Sequence, residues 1–502
     1  MLIAIATRFN QYFLLSLFLL VLMIFHTCNG TWCGDFWMHC DVVRELATHP
    51  LCSRHPEFLL NAPHAFYSPY SLALAWIVRI FNSNPIRVLS IAGIFNFVLF
   101  VVGLERFVSL LLGKGRGALY TLFFMLFLWG FNPWFYSGFF HFKVIAYVLP
   151  YPSTLAMALT FFALSMSILY LRKRSKWMLC FLLLFSVVIL LSHPLSAIVL
   201  FVGILALVIS HKNQQGVPAT IDRFLLLLII PLSFLIALLW PYYSLLKLIL
   251  SQGAFLDVEN RCMYQGVLRI IFPSLIGLVI LILRMKSNWK DPLVLIFLGL
   301  LIVYIYGGMS GHFSYGRVIS SIVLILQISI ADWMCKNENF KTLTLKSKCV
   351  FILVVGLSLF GLVNNCNAKC RHYLPGLNNS YDRYQFLTQY TKQYDVILSD
   401  PETSFLIPTF GGKVVANGHL LPFVQDGQKR EDDLDSFFNR KTSQILRFGI
   451  INRYHVDFIL INKEESISEG LSSSDLSSLG RQVYLDKDFI LIKINHKIGS
   501  HD

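Results

Sequence analysis

The chain has 502 residues, of which 56% are hydrophobic and only 14% charged, and its mean hydropathy is +0.62. Soluble domains carry charge at roughly a quarter of their positions, so an ordinary soluble enzyme is excluded. The net charge of +14 would point to nucleic acid in a soluble protein, but here Lys and Arg cluster in short connections between apolar runs, which makes the excess a topology signal and implies no nucleic-acid partner.

Apolar runs of roughly 20 residues recur along most of the chain, each long enough to cross a bilayer core, and their continuity calls for helices rather than a barrel. The first, "QYFLLSLFLLVLMIF" after Arg8, has no small-x-small pattern behind it and reads as an uncleaved span rather than a signal peptide. Taken in order, the spans fall near 9–27, 87–111, 117–137, 152–171, 177–193, 194–210, 222–242, 266–283, 291–307, 318–335 and 349–366, eleven in all. The segment "FYSPYSLALAWIVRIF" (66–81) is shorter, carries Arg79, and reads as an interfacial or re-entrant helix. With the N-terminus inside, the cytoplasmic loops are "GKGRG", "LRKRSKW", "HKNQQGVPATIDR", "RMKSNWK" and "KNENFKTLTLKSK", each with at least two Lys or Arg. The short connections near 138–151, 193 and 307–317 hold one or none, as the resistance of positive charge to translocation requires. The loops 28–86 and 243–265 and everything after 366 then face outward.

From about residue 372 the chain turns polar. "YDVILSD", "KVVAN", "VDFILIN", "RQVYL" and "FILIKI" read as strands, and "DDLDSFFNRKTSQILRFGIINRY" as helix between them. That alternation predicts a small α/β domain over 372–502, beside a transmembrane domain over 1–371 that includes the outer loop 28–86. In "SDPETSF", Ser399 or Asp400 caps a helix with Pro401 in its first turn. Ten cysteines suit no zinc spacing, and a bridge such as Cys366–Cys370 is open in an oxidising compartment. Asn29-Gly30-Thr31 and Asn378-Asn379-Ser380 are glycosylation triplets on the outer side.

Chemistry-bearing residues gather on that side. In "GDFWMHCDVVRELATHP" (34–50), helical winding puts Asp41, Arg44, Glu45 and Thr48 on one polar arc, read as solvated, and Phe36, Met38, Val42, Val43, Leu46 and Ala47 on the other, suited to the membrane surface. Asp35 and His39, one turn apart, fall within the apolar arc, where a carboxylate needs a partner, a metal or a wet cavity. The plainer alternative is that Asp35 caps the helix and His39 bonds a carbonyl. "SGFFHFKVIAYVLPYPS" adds His141 and Lys143, "LLSHPLSA" adds His193, and "GGMSGHFSYGRVISS" adds His312 and Arg317. Each has a plain reading as well: Lys143 snorkels to headgroups and His193 closes a turn. Arg317, at a span mouth beside Gly308, Gly311 and Gly316, has the planar fork that suits phosphate.

Together these residues resemble the GT-C superfamily, polytopic glycosyltransferases that use polyprenyl-phosphate sugars. The resemblance spans nearly the whole chain: an N-terminal span, the outer loop with "GDFWMHCDVVRELATHP", the segment "APHAFYSPYSLALAWIVRIF", about ten further spans, and the outer tail with "VILSDPETSFLIPTFGGKVVANGH" and "RYHVDFILIN". It implies a polytopic α-helical fold with an extracytoplasmic α/β domain, and transfer of a hexosyl or pentosyl unit, with inversion, from a polyprenyl-phosphate sugar to a glycan, lipid or protein acceptor. The membrane would be the cell (inner) membrane, and the active site and tail would be extracytoplasmic. Asp35 matches the essential acidic residue of the first outer loop, as catalytic base or as ligand of a divalent metal, with His39 orienting it or sharing the metal. Arg317, His312, Lys143, His141 and His193 would bind substrate, with Arg317 and Asp35 on one water-filled cavity. The second outer loop offers His141 and Lys143 where the superfamily has an acidic or polar site, and the Trp-Trp-Asp peptide-recognition motif of oligosaccharyltransferases is absent. A transporter or flippase of a lipid-linked saccharide also needs phosphate-binding groups and many spans, although it would favour internal repeats and mid-membrane charges, which this sequence lacks. A non-catalytic assembly protein is the third reading.

The topology is testable by single-cysteine labelling with an impermeant reagent, in a background without accessible native cysteines. Positions in 114–116, 172–176 and 284–290 should be protected from outside and positions after 372 labelled. Labelling at 174 but not at 430 would invert the scheme.

Overall fold

The structure, a computed structural model, describes residues 2–113, 115–211, 219–251, 259–339, 344–369, 380–419, 421–464 and 478–495. Two compact units emerge: Met1–Asn29, Ser68–Tyr70 and Ser90–Leu377 form the first, and Gly30–Tyr67, Ser71–Leu89 and Asn378–Asp502 the second.

The first unit is helical. Every segment read as a span holds helix, and among the described residues eight helices are long and apolar enough to cross a membrane: Gln11–Asn29, Pro85–Leu112, Pro152–Lys173, Thr220–Ala237, Val267–Ser287, Pro292–Ser310, Phe313–Lys336 and Ser347–Asn364. The other three, Gly117–Phe127, Lys176–Ser192 and Pro194–Ser210, are shorter. The chain is a multi-pass membrane protein. The span read over 117–137 ends at Phe127, and the reason is chemical. Pro133 denies the chain a donor and disfavours helix at the residue before it. Gly130 lets the backbone meet a neighbouring turn, where its N–H donates to Ile270 O at 2.7 Å, an approach that a Cβ would block by striking Arg269 O. The carbonyl of Leu128 left at the helix end accepts from Ser274 Oγ at 2.7 Å and Gln327 Nε2 at 3.3 Å. In hydrocarbon such a group has to be satisfied by protein.

Helix crossings in this unit rest on small residues, as in other membrane bundles. A Cβ at Gly277 would strike the carbonyl of Leu326 on a neighbouring helix, and one at Gly361 the carbonyl of Phe127. At helix ends, Arg284 bonds Asp332 and, at 2.6 Å, Asp291, while Lys336 reaches Asp332 at 2.6 Å. Asp291 also caps Pro292–Ser310 by accepting from Leu293 N at 3.0 Å.

The second unit is built on a five-stranded sheet: β1 (Val396–Leu398), β2 (Lys413–Val414), β3 (Val456–Asn462), β4 (Gly480–Leu485) and β5 (Phe489–Ile494), in the order β2-β1-β3-β5-β4. β1 runs parallel to β2 and β3, and β5 antiparallel to β3 and β4. All five strands lie where the sequence places them. The helix expected over 432–454 breaks at Asn439 into Gly427–Phe438 and Gln444–Tyr454. Arg447 holds the break, donating to Phe437 O at 3.1 Å and Asn439 O at 2.9 Å. Leu434, Phe437, Phe438, Ile450 and Ile451 on these helices pack with Val396, Leu398, Ile459 and Ile492 of the sheet in one core.

This unit also takes in the loop Gly30–Tyr67 that follows the first span. Val414 N donates to Glu57 O at 2.8 Å, and Phe58 pairs in parallel with Val414, so the loop covers the open edge of β2. Glu57 is buried, its Oε2 accepting from Asn417 Nδ2 at 2.6 Å. Burial pushes its pKa up to about 8, against the opposing pull of Lys413 and the Asn417 bond. Cys370 and the triplet at Asn378 lie outside the described residues.

Two stability tests follow. Gly277→Ala should destabilise the protein by about 1–3 kcal/mol, the scale of overpacking against backbone, and Gly356→Ala, whose Cβ meets nothing within 4 Å, should not; melting in detergent compares them. For Glu57 the folded state holds its proton up to about pH 8, while the unfolded chain releases it near the ordinary glutamate value, so stability falls as pH rises between the two. Glu57→Gln removes that loss, so its melting advantage over wild type should grow from pH 5 to pH 8.

Candidate functional site

The loop helix Phe36–Thr48 begins directly after Gly34, whose φ of 60° turns the chain into it. Asp35 occupies the N-cap position with φ −57° and ψ −7°, yet its side chain makes no capping bond. It is exposed. His39, one turn on, is buried at 4% exposure and stacks on Phe66 with ring centroids 4.6 Å apart.

The carboxylates of this helix's polar arc are not solvated. Asp41 and Glu45 are 2% and 1% exposed, because the segment 393–417 of the tail covers them. Thr409 donates its hydroxyl to Asp41 Oδ1 at 2.8 Å, and Arg44 Nη1 donates to Pro408 O at 2.6 Å. Lys413, itself 2% exposed, donates to Glu45 Oε2 at 2.9 Å, His55 O at 2.9 Å and Pro56 O at 2.8 Å. Periodicity identified the two arcs correctly but could not tell water from a folded partner more than 340 residues away in sequence. A lysine inside the apolar run "KVVAN" was the available signal. Burial raises the Asp41 pKa well above the carboxylate range, with Glu57 adding to it, and lowers that of Lys413, which Glu45 opposes. His55 and His64 are driven down by burial, His64 to about 3. Asp400, the other tail carboxylate singled out, caps Pro401–Ser404 by accepting from Thr403 N at 2.8 Å.

The remaining candidates belong to the first unit. Arg317 lies in the 3₁₀ turn Phe313–Val318. Its Nε donates to Asn260 Oδ1 at 2.8 Å, its Nη1 to Ser137 Oγ at 3.2 Å, and its guanidinium sits 5.2 Å from the centre of the Tyr136 ring. These three partners were not anticipated. The glycines around Arg317 have a packing role: a Cβ at Gly308 or Gly316 would press on the Tyr264 ring, which stacks on Tyr304 at 4.6 Å. His193 caps Pro194–Ser210, its Nδ1 lying 2.8 Å from Ser196 Oγ. His141 is fully buried, with Nε2 2.9 Å from Trp134 O and its ring edge-on to Trp129. His312 meets Tyr315 edge-on at 6.3 Å, and burial lowers the pKa of the half-buried Lys143. Asp35 and His39 thus share one unit, and Arg317, His312, Lys143, His141 and His193 the other. Among the described residues no group of three or more His, Cys, Asp or Glu is placed to hold a metal ion.

No family model matches the sequence, and no curated protein matches it. Solved structures do match its fold. The archaeal oligosaccharyltransferase AglB from Archaeoglobus fulgidus, in complex with an inhibitory peptide and a dolichol-phosphate, superposes with a TM-score of 0.57 at 11% identity, over 94% of this chain and 72% of that one. The crystal structure of the Archaeoglobus fulgidus oligosaccharyltransferase with zinc and sulfate gives 0.56 at 10% identity, over 90% and 68%, and its apo form 0.53 at 11%, over 89% and 69%. Over about nine-tenths of its length this chain, a helical membrane bundle with an α/β tail, has the fold of these archaeal oligosaccharyltransferases.

Proposed function

We propose that this chain is a membrane glycosyltransferase that moves a sugar from a polyprenyl-phosphate donor to an acceptor hydroxyl or amide at the extracytoplasmic face of the cell membrane. The observation that carries the reading is the fold shared with AglB, a protein whose structure holds a dolichol-phosphate and a peptide. A peptide or protein acceptor is therefore the first to test, although the absence of a Trp-Trp-Asp motif leaves a glycan or lipid acceptor equally in play.

In the proposed step the acceptor oxygen or nitrogen attacks the anomeric carbon from the face opposite the phosphate. The new bond forms as the carbon–oxygen bond to phosphate breaks, the bonding pair leaves with the phosphate, and the configuration inverts. Asp35 takes the acceptor's proton as general base. Its exposure and lack of a capping bond favour that role over the cap. The stacked His39 backs the turn that carries Asp35. Arg317, oriented by Asn260 and Ser137, stabilises charge developing on the departing phosphate, with Lys143 and His312 contributing. His193 and His141, both committed to contacts within their own unit, act by shaping the donor's binding surface. Asp35 alone does not make a metal site.

The test is turnover of a radiolabelled polyprenyl-phosphate sugar by purified protein with peptide, glycan and lipid acceptors. Asp35→Asn keeps size and hydrogen bonding but removes basicity, so turnover should fall by roughly 10²-fold or more at unchanged protein level. Arg317→Lys keeps the charge but loses the fork, and should raise the KM for the donor. Near-normal transfer by Asp35→Asn would remove Asp35 from the chemistry.

A further inference from the structure

We infer that Lys413, on strand β2 of the tail, is a positioning residue for Asp35, acting through the loop helix. The inference rests on Asp35 being the base. The tail then supplies part of the interior on which the catalytic loop is folded.

The geometry is specific. A lysine ammonium has three protons and no acceptor, and all three are matched, one to Glu45 on the loop helix and two to the carbonyls of His55 and Pro56 further along the same loop. One side chain therefore ties both arms of the loop to β2. The backbone reinforces it, through Val414 N to Glu57 O and the Phe58–Val414 bridge. Tyr394 and Gln393, from the same tail, reach Glu45 at 3.4 and 3.3 Å. Ten residues upstream of Glu45, Asp35 opens the helix that Glu45 anchors, so the direction of that helix sets where the Asp35 carboxylate stands. Without the tail, Glu45 would be a charge on a solvated arc, and the loop helix would keep only local ties such as Arg54 N to Glu45 Oε1 at 3.1 Å and the His39–Phe66 stack.

The experiment separates positioning from mere folding. Lys413→Met alone strands the Glu45 charge in the interior and is expected to lower yield. The double variant Glu45→Met/Lys413→Met removes both charges, a replacement that buried pairs often tolerate in stability, but leaves the carbonyls of His55 and Pro56 without their donor. In the full-length protein, amide hydrogen exchange over 36–48 should quicken several-fold while β3 and β5 keep their protection. The kcat should fall roughly tenfold or more, the scale of a reacting group displaced by about an ångström, with the KM for the lipid donor unchanged. Unchanged exchange in the loop helix, or a wild-type kcat, overturns the inference. Should the wild-type protein transfer no sugar at all, the transferase reading fails by itself, and the exchange measurement still decides whether Lys413 holds the loop.

Discussion

A polar group taken out of water must be given a partner inside the protein, and that single constraint shapes both units. In the first it dictates helix wherever the chain crosses the bilayer, since an unpaired backbone group in hydrocarbon costs several kcal/mol. Where helix stops early, at Phe127, the stranded carbonyl of Leu128 is met by Ser274 and Gln327 drawn from two other segments. In the second unit the same constraint acts on charge. Removing one partner of a buried ion pair costs about 3–5 kcal/mol, so Lys413 and Glu45 commit the tail and the loop after the first span to each other. That mutual dependence makes one compact unit of segments separated by nearly three hundred residues.

The likeness to archaeal oligosaccharyltransferases at 10–11% identity is intelligible in these terms. A bundle of this kind asks for apolar length, small residues at crossings and satisfied helix ends, and many sequences meet those demands. Gly277 and Gly361 are needed because a neighbouring carbonyl comes too close for a Cβ, not because of any chemistry. Fold persists while identity drifts. What a site demands is narrower, and it is carried by a handful of side chains whose types, rather than their neighbours, have to match.

Much of the architecture was legible for the same reason. Span length and the period-two runs of the tail are local signals, and both located their elements, strand for strand in the case of β1 to β5. The misreadings came from non-local partners. The helix expected past Phe127 is ended by a neighbouring turn at Arg269 and Ile270 as much as by Pro133. The arc holding Asp41 and Glu45 reads as solvated because its cover, Thr409 and Lys413, lies more than 360 residues away. For Arg317 the side chain itself was visible in the sequence, but Asn260, Ser137 and Tyr136 come from two other connections and had no signature of their own.

Asp35 contrasts with the four acidic groups of its unit that lie in the loop or were singled out in the tail. Asp41 is committed to Thr409, Glu45 to Lys413, Glu57 to Asn417 and Asp400 to its own helix turn. Three of these four hold the loop to the tail, and burial keeps Asp41 and Glu57 toward their neutral forms. Each would be a poor base at neutral pH, through being protonated or already bonded. Asp35 is exposed, stands at the mouth of the helix the others anchor, and spends no bond on capping it. Asp41, Glu45 and Glu57 thus hold the loop to the tail, and Asp35, the base proposed above, stands exposed where the loop helix begins.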